Sequence, residues 1–537
     1  MEGAFATNEA KLTDCRKNYS FYFDLIEKEW AGNNLRAPIH RICTLMRKMH
    51  VQALLCENLE LNDELLNERD AVAILRGHST TAKAVRVTFF RHMPPSCDWL
   101  ALEDADVMGY AVILTLVYQA TNLSYIYEAV IRPPSLFLGG KWMDVSNYYV
   151  HCIKDFKTTI GTRSLSRNFT FPGTFFCQQN GITHVCAHAA LRSALNNWRS
   201  YSGAKITSKL INEALGIDHT AGKQIPHGGL HTAQIKAFVQ KLGHNVLVAD
   251  FNSTPDIDYD EFVYPLIESG CPVVLGIVRP GIAHVVSVIG HTLNTDRWAE
   301  ARHLYGTFPS YPYIPASSWV DHFIISDDNF GMYVTLPTDS IRNLLVPKHN
   351  PNLHAALAVG LVPIGGRISG YVAEQSAAEV ANVVIEAAVA GPRNDWLKVL
   401  QKKDSGGFRI NPIVCRTLMA TKSDYITHLS TTDDEKSNKI TALEKVWLQS
   451  VLPDLFWVTE ITTTNLYTGN KRKLGDVVTV VNLTDAQIKD QQWHVFAWLT
   501  GICWNGPGLS SPPRPWSLKG HIPLIRGIPN ERSVSEW

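Results

Sequence analysis

The stretch Cys177-Gln-Gln-Asn-Gly-Ile-Thr-His-Val-Cys186-Ala-His-Ala-Ala-Leu-Arg-Ser-Ala-Leu195 leads from a polar turn into an alanine-rich helix, and Cys186 lies where the two meet. The helical part is amphipathic, as expected of a helix that packs on a core. Unpaired amides and the macrodipole at a helix N-terminus lower the pKa of a thiol placed there. The stretch therefore predicts a reactive cysteine, although a cysteine in this position is more often an ordinary buried residue.

A histidine and two aspartates stand at the ends of apolar runs further along the chain. His284 opens the run His284-Val-Val-Ser-Val-Ile289, and Asp327 and Asp328 follow the run His322-Phe-Ile-Ile-Ser326. If these runs are adjacent antiparallel strands, a carboxylate lies beside the imidazole and fixes its tautomer, which leaves the other ring nitrogen to take a thiol proton. The ordinary interpretations are a hydrogen-bonded strand histidine and a turn at Asp-Asp-Asn.

The middle of the chain is predicted to run helices first and sheet second. A second helix is expected from Thr232 to Leu242, and runs of β character follow at Asn245–Asp250, Pro272–Ile277, His284–Ile289 and His322–Ser326. Between the last two runs, residues 294–320 are rich in aromatic residues and proline, and the segment is longer than a hairpin needs. It is either a binding flap or a packed surface loop.

Five short motifs occur in order over about residues 170–340. They are Gln-Asn-Gly before the Cys-Ala-x-Ala-Ala-Leu helix, Gly228-Gly-Leu-x-Thr232, Pro-Val-Val-Leu-Gly, His-Val-Val-Ser-Val-Ile-Gly-His, and a strand that ends in aspartate. In this order they resemble papain-like cysteine peptidases, most closely the bacteriocin-processing branch that cleaves double-glycine leaders. The resemblance implies a papain-like domain in which Cys186 is the nucleophile, His284 the base and Asp327 the residue that orients the base.

The same resemblance implies a glutamine that donates its side-chain amide to the oxyanion, usually the largest electrostatic contribution to acyl transfer. The family glutamine stands six residues before the cysteine, where this chain has Asn180, while Gln179 and Gln178 stand seven and eight residues before it. We expect Gln179 to take this role, with Asn180 and Gln178 as alternates. The family acid is normally followed by proline, whereas Asp327 is followed by Asp328, so either aspartate can orient the base.

Other functions use the same residues. His184, Cys186 and His188 alternate like metal ligands on a strand, but a helix turns His188 away from Cys186, and neither Cys-x-x-Cys nor His-Glu-x-x-His supports a metal. Transglutaminases and deamidases form the same thioester with the same three groups, and a papain-like scaffold can also bind a peptide without cleaving it. The sequence favours a hydrolase, a cysteine (thiol) protease that needs no cofactor or metal.

Composition limits the remaining classes of function. The 50 basic residues balance 50 acidic ones, so no net charge favours nucleic-acid binding. No run reaches the roughly 18 apolar residues of a membrane span, and the N-terminus lacks the pattern of a secretory signal. The ten cysteines include no Cys-x-x-Cys pair, which favours free thiols. We therefore expect a cytoplasmic protein that contacts no membrane.

A chain of 537 residues is too long for one core, so we expect an α+β, multidomain protein. The predicted N-terminal α+β domain, residues 1–165, has helical spacing from Leu35 to Leu75. The papain-like domain covers 166–394 and ends in a helix near Ser376–Ala390 that closes or links it. A C-terminal domain, 395–537, contains strands near 455–461 and 476–481. The flanking domains are expected to select a peptide or protein substrate, or to bind a protein partner.

Overall fold

The computed structural model of this chain describes residues 5–8, 10–16, 24, 27, 29–30, 35–119, 121–134, 148–183, 185–217, 230–253, 257–279, 282–301, 312–340, 354–389, 401–404, 407–434, 436–483 and 492–525. Over these residues the fold is α+β, with three seven-stranded sheets that follow one another along the chain. Within the described ranges, no helix is long and apolar enough to cross a membrane.

The first eight strands are β1 (Lys11–Asp14), β2 (Ala53–Leu59), β3 (Thr81–Phe90), β4 (Val107–Tyr118), β5 (Thr121–Ile131), β6 (Tyr148–Val150), β7 (Lys154–Gly161) and β8 (Ser166–Phe176). All of them except β6 form the first sheet, in the order β1-β2-β3-β4-β5-β8-β7. Two helices accompany this sheet, α1 (Ala37–Lys48) and α2 (Asp63–Arg76). Helix α2 begins where the Asn62 side chain accepts a hydrogen bond from the Leu65 amide, and it ends at the left-handed Gly77.

Two predictions for this region need correction. The helical spacing from Leu35 to Leu75 does not mark one helical region, because β2 separates α1 from α2 and contains Leu54 and Leu55. The chain leaves the helix at His50, whose φ is 49°. The domain boundary expected between residues 165 and 166 falls inside a β hairpin, since β7 and β8 pair from Gly161 opposite Ser166 onwards. The first sheet therefore extends to the end of β8.

The second sheet contains β6 and six later strands: β9 (Asn245–Asp250), β10 (Val273–Arg279), β11 (Ile282–Thr292), β13 (His322–Asp327), β14 (Gly331–Pro337) and β15 (His354–Val362). Its order is β14-β13-β11-β10-β15-β9, and β6 pairs with the far end of β11. Four helices belong to the same part of the chain: α3 (Cys186–Asn197), α4 (Ser208–Leu215), α5 (Thr232–Lys241) and α6 (Tyr259–Glu268). The four predicted strands and the helix from Thr232 are confirmed, whereas the Gly228 turn lies outside the described residues.

Both faces of the second sheet are covered. Helices α3, α4 and α5 share one buried apolar cluster with the sheet residues Val274, Val359 and Leu361. Helix α6 covers the opposite face, in a cluster that also takes in Met419 and Trp457 of the third sheet. Helix α3 also packs directly on β11. This packing places α3 directly against the strand that carries His284.

The third sheet contains β12 (Tyr313–Pro315), β18 (Ile413–Thr421), β19 (Leu455–Thr463), β21 (Gly475–Val480), β22 (His494–Leu499), β23 (Ile502–Asn505) and β24 (Arg514–Pro515), in that order. Its helices are α7 (Gly370–Val389), α8 (Lys422–Thr431) and α9 (Ala442–Val451), and two small hairpins pair β16 (Gln401–Asp404) with β17 (Gly407–Ile410) and β20 (Arg472–Lys473) with β25 (Ile522–Pro523). The predicted strands near 455–461 and 476–481 and the predicted helix near 376–390 are confirmed.

The proline-rich segment 294–320 is packed in its last part, residues 312–320, whereas Trp298 near its start is 80% exposed. Strand β12 pairs in parallel with β18, and Ile314 and Trp319 belong to the core between the second and third sheets. Residues 302–311, the middle of the predicted flap, lie outside the described part of the chain. Helix α7 packs on β18, β19 and β21 of the third sheet and also contacts α6, which covers the second sheet, so it connects the two.

Candidate active site

Cys186 is the first residue of α3, as the sequence predicts. The preceding Val185 is extended, with φ −118° and ψ 176°, and its side chain does not cap the helix. The first turn contains no acidic residue, so the helix itself places no carboxylate beside Cys186. The Cys186 side chain is half-buried. A thiolate at this position would face the free amides and the positive end of the helix dipole.

His284 lies on β11, the strand on which α3 packs, with 21% of its side chain exposed. Its Nε2 is 3.2 Å from Asp327 Oδ1 and 3.6 Å from Asp328 Oδ1. The Cys186 thiol lies within hydrogen-bonding reach of the same imidazole. Because Nε2 faces the aspartates, Nδ1 is the ring nitrogen left for Cys186. The pairing of β11 with β13 thus brings His284 beside Asp327, as the sequence predicts.

The turn after β13 fixes Asp327. Its Oδ1 accepts hydrogen bonds from the backbone amides of Asn329, at 2.8 Å, and Phe330, at 3.3 Å. The turn closes at Gly331, whose φ of +112° favours glycine, and a Cβ there would lie 3.0 Å from the Arg41 side chain. Helix α1 therefore supports this turn from the outside, and it holds the carboxylate still relative to the imidazole.

Opposing effects set the protonation of this cluster. Burial lowers the pKa of His284, but hydrogen bonds with Asp327 and Cys186 and the negative charges of Asp327 and Asp328 outweigh it and raise the pKa to about 10. Burial raises the pKa of Asp328 to about 7, with the His284 charge opposing the shift and the Asp327 charge adding to it. The imidazole is therefore held as a cation near neutral pH, which favours an ion pair with a thiolate.

The three candidates for the oxyanion donor have different surroundings. Gln178 is fully buried; its Nε2 donates to the Leu35 carbonyl and its Oε1 accepts from the Ile126 amide. Asn180 is also buried, and its Nδ2 donates to Glu68 at 2.6 Å. Gln179 is half-buried, and among the described residues no hydrogen bond joins its amide to a neighbour. Gln178 and Asn180 therefore use their amides in contacts within the described fold, and Gln179 stays the candidate donor.

The described structure does not support the hypothesis that His184, Cys186 and His188 bind a metal. His188 is fully buried in α3, and its Nε2 lies 2.9 Å from Asn212 Oδ1. His184 lies outside the described residues. In the part of the chain that the structure describes, two other groups have metal-ligand spacing: His284 with Asp327 and Asp328, and His151 with Glu268 and His291. Sequence reasoning missed the second group, because Glu268 and His151 come from separate elements with no motif around them.

A cavity of about 670 Å³ opens beside the turn that precedes Cys186. Its walls come from α2 of the first sheet and from α4, and Thr183 contributes the edge nearest to Cys186. Glu68 closes the floor, where its Oε1 accepts hydrogen bonds from Tyr125 and Thr183. Neither Cys186 nor His284 lines this cavity, which reaches the turn before Cys186 only at Thr183.

Comparison of the chain with models of known protein families and with curated protein sequences gives no match. The geometry of the described residues is therefore the basis for a functional assignment.

Proposed function

We propose that this protein is a thiol-dependent acyl-transfer enzyme, most simply a cysteine peptidase with a papain-like central domain. The observation that carries the proposal is the arrangement at His284. One side of its ring faces Asp327 at 3.2 Å, and Cys186, at the start of α3, lies within hydrogen-bonding reach of the ring. A nucleophile, a base and a group that orients the base are the minimum set for this chemistry.

In the proposed reaction, His284 already holds the proton of the Cys186 thiol, and the resulting thiolate attacks the carbonyl carbon of a peptide bond. The Gln179 amide and the Cys186 N–H donate to the resulting oxyanion. Collapse of the intermediate breaks the C–N bond, and His284 returns the proton to the leaving amine. Water then attacks the thioester, with His284 as base, which releases the carboxylic acid and regenerates the thiol. Asp327 holds the ring in place throughout.

Two alternatives keep the same site. A transglutaminase or deamidase forms the same thioester and differs in whether an amine or water resolves it, and in which amide it attacks. A peptide-binding scaffold has the fold without the reaction. Incubation with a mixed peptide library, followed by mass spectrometry, separates the three enzymes by their products: shortened peptides, deamidated side chains, or peptides joined to an added amine. A scaffold gives none of these.

Thiol reactivity tests the proposal before any substrate is known. The full chain is treated with iodoacetamide at pH 7, and the modification rate of each cysteine is followed by peptide mass spectrometry. Cys97 is an exposed free thiol and serves as the internal reference. Since an ordinary thiol is only a few per cent ionised at this pH, we expect Cys186 to react roughly tenfold faster or more. His284→Ala should bring the rate of Cys186 down to that of Cys97.

The proposal fails if Cys186 reacts no faster than Cys97 in the unmodified chain. It also fails if His284→Ala leaves the rate of Cys186 unchanged. The exposed Cys97 controls for general changes in reagent or pH, because its rate should be the same in both proteins.

A further inference from the structure

Asp328 has no role in the reaction proposed above, and its surroundings are unusual. Only 2% of its side chain is exposed, and neither carboxylate oxygen has a hydrogen-bond partner among the described residues. Buried carboxylates are nearly always hydrogen-bonded, paired with a cation or bound to a metal. The nearest charged neighbour is His284, whose Nε2 is 3.6 Å away and already faces Asp327. The carboxylate is thus aimed into the cluster with part of its bonding capacity unused.

The ligand atoms of this cluster have the spacing of a tetrahedral metal site. Zinc bonds to imidazole nitrogen and carboxylate oxygen at about 2.0–2.2 Å, which separates two ligand atoms of a tetrahedron by about 3.3–3.6 Å. His284 Nε2 lies 3.2 Å from Asp327 Oδ1 and 3.6 Å from Asp328 Oδ1. All three atoms lie within 4.8 Å of one another. They can form one face of a tetrahedron with small adjustments of the side chains.

We propose that His284, Asp327 and Asp328 form a binding site for a divalent transition-metal ion, Zn²⁺ above all. One imidazole with two carboxylates suits zinc, whereas magnesium and calcium prefer oxygen ligands alone. The two negative charges match the charge of the ion. A fourth position remains for water. The ion would take the place of the hydrogen bond between Asp327 and the imidazole, and it would keep His284 from acting as a base.

The second group with metal-ligand spacing is not expected to bind a metal ion. Glu268 stands between His151 and His291, but the Arg416 guanidinium already lies 2.6 Å from Glu268 Oε2. A resident cation at that distance neutralises the carboxylate and repels a metal ion. The cluster of His151, Glu268 and His291 is therefore an ion-paired structural site, and it provides a matched control for the proposed one.

Metal binding at His284 does not depend on the thiol, whereas inhibition by the metal rests on the proposed function. The binding test uses the full chain with Cys186→Ala, so that Cys186 cannot contribute a ligand. Zn²⁺ is titrated by isothermal calorimetry, and Co²⁺ is used as a spectroscopic probe because thiolate ligands give it a distinct absorption. We expect one Zn²⁺ ion bound through nitrogen and oxygen, without displacement by excess Mg²⁺ or Ca²⁺.

Three variants in the Cys186→Ala background assign the ligands. Asp328→Asn and, independently, His284→Gln should each weaken Zn²⁺ binding at least about tenfold. His291→Gln, in the control cluster, should leave the affinity unchanged. Circular dichroism shows whether each variant is folded, and the two ligand variants provide separate tests. The proposal is overturned if Cys186→Ala binds no Zn²⁺, if a thiolate spectrum appears with Co²⁺, or if folded Asp328→Asn binds as tightly as its parent.

Inhibition is measured on the chain that retains Cys186. Zn²⁺ should slow the iodoacetamide reaction of Cys186 at concentrations that saturate the site, and Asp328→Asn should need at least about tenfold more Zn²⁺ for the same effect. The rate at Cys97 shows any direct effect of Zn²⁺ on thiols. Slow labelling of Cys186 in the metal-free chain would contradict the proposed function alone. Absence of Zn²⁺ binding would contradict the metal site alone.

Discussion

Asp327 and Asp328 are adjacent in sequence and both face His284, yet they are not equivalent. Asp327 accepts two backbone hydrogen bonds that fix its carboxylate, and it approaches Nε2 more closely. Asp328 lies deeper and has no hydrogen-bond partner in the described part of the chain. A base is oriented best by a group that is itself held in place. Asp327 is therefore the better candidate for orienting the imidazole.

This difference gives a paired prediction. In metal-free protein, Asp327→Asn should slow the iodoacetamide reaction of Cys186 about 10- to 100-fold, because a hydrogen bond to a charged group is worth about 1.5–3 kcal/mol. The turn should persist, since the asparagine oxygen can still accept from the Asn329 amide. Asp328→Asn is the control. It should change the rate less than about threefold, because the Asp328 carboxylate makes no hydrogen bond to the ring. Equal slowing in both variants would show that the assignment to Asp327 is wrong.

Gln178 and Gln179 provide a second pair, one structural and one proposed to contact the oxyanion. Gln178→Ala should lower the free energy of unfolding by about 2–3 kcal/mol, because it removes the partner of the half-buried Leu35 carbonyl and of the buried Ile126 amide. Gln179→Ala should change stability by less than about 0.5 kcal/mol. On any substrate found, it should lower kcat about 100- to 1,000-fold. Urea denaturation and steady-state kinetics measure the two effects, and a reversed pattern would reassign the oxyanion donor.

The residues of the site were predictable to different degrees. Cys186, His284 and Asp327 each stand at or near the end of a regular element, so hydrophobic periodicity made them candidates, and the resemblance to papain-like peptidases suggested their roles. The choice among residues 178–180 was not predictable, because it depends on contacts with Leu35, Ile126 and Glu68, which are 52 to 143 positions away. Sequence spacing within a loop carries no information about such partners.

At the scale of elements, the main error was to continue the helical spacing through β2, and the burial of this strand on both faces explains it. Strand β2 lies between β1 and β3, and its run Ala53-Leu-Leu-Cys56 is apolar without alternation. Such a short run has no period of its own, so the helical spacing of α1 appeared to continue through it. By contrast, β10, β11 and β13 are bounded by turns and rich in valine and isoleucine, and their prediction is confirmed.

Close contact between β6 and β11 depends on a glycine. A Cβ on Gly290 would lie 2.3 Å from the Tyr149 carbonyl oxygen and 2.9 Å from the Val150 Cα, both of them backbone atoms. Gly290→Ala should therefore force the strands apart and lower the free energy of unfolding by at least about 2 kcal/mol. Gly276→Ala, in neighbouring β10, is the control: its Cβ would meet Leu357 at an ordinary 3.5 Å. Chemical denaturation compares the two, and equal effects would argue against this strand contact.

His494 connects α7 with the third sheet and predicts a pH dependence. Its ring nitrogens lie 2.8 Å from Ser376 Oγ and 3.2 Å from Thr479 Oγ1, and burial lowers its pKa to about 4. Because the folded-state pKa is below the unfolded value of about 6.5, the stabilisation is complete above pH 6.5 and is lost as pH falls towards 4. Between pH 6.5 and pH 4, the free energy of unfolding of His494→Gln should therefore fall by about 3 kcal/mol less than that of the parent. Identical pH profiles in urea denaturation would contradict the prediction.

The whole molecule is more continuous than a sequence of independent domains. The first and second sheets share a core that contains Met46 of α1, Ile289 of β11 and Met332 of β14. The second and third sheets share another, with Val273 and Trp457. Sequence analysis divides a chain where local patterns change, whereas these cores join residues hundreds of positions apart. The predicted boundaries therefore do not coincide with boundaries between these cores.

Buried ion pairs cross the same junction. Arg416 on β18 lies 2.6 Å from Glu268 at the end of α6 and 2.5 Å from Glu460 on β19, and His291 of β11 approaches Glu268 at 3.0 Å. Lys473 pairs with Glu460 and continues the chain of charges to Asp476 on β21. The pairs are fully buried, so each partner depends on the other for its solvation. Arg416 thus holds the strand of His284 and the third sheet together.

Replacement of Arg416 tests this junction at the scale of the molecule. Arg416→Met keeps most of the side-chain volume but removes the guanidinium that Glu268 and Glu460 share. The free energy of unfolding should therefore fall by about 3–5 kcal/mol. Lys422→Met is the control, because Lys422 pairs with Asp454, whose side chain is 98% exposed, and such surface pairs contribute less than about 1 kcal/mol. Urea denaturation followed by tryptophan fluorescence reports the change, since Trp457 lies in the shared core. Comparable losses in the two variants would show that the second and third sheets do not depend on this ion pair.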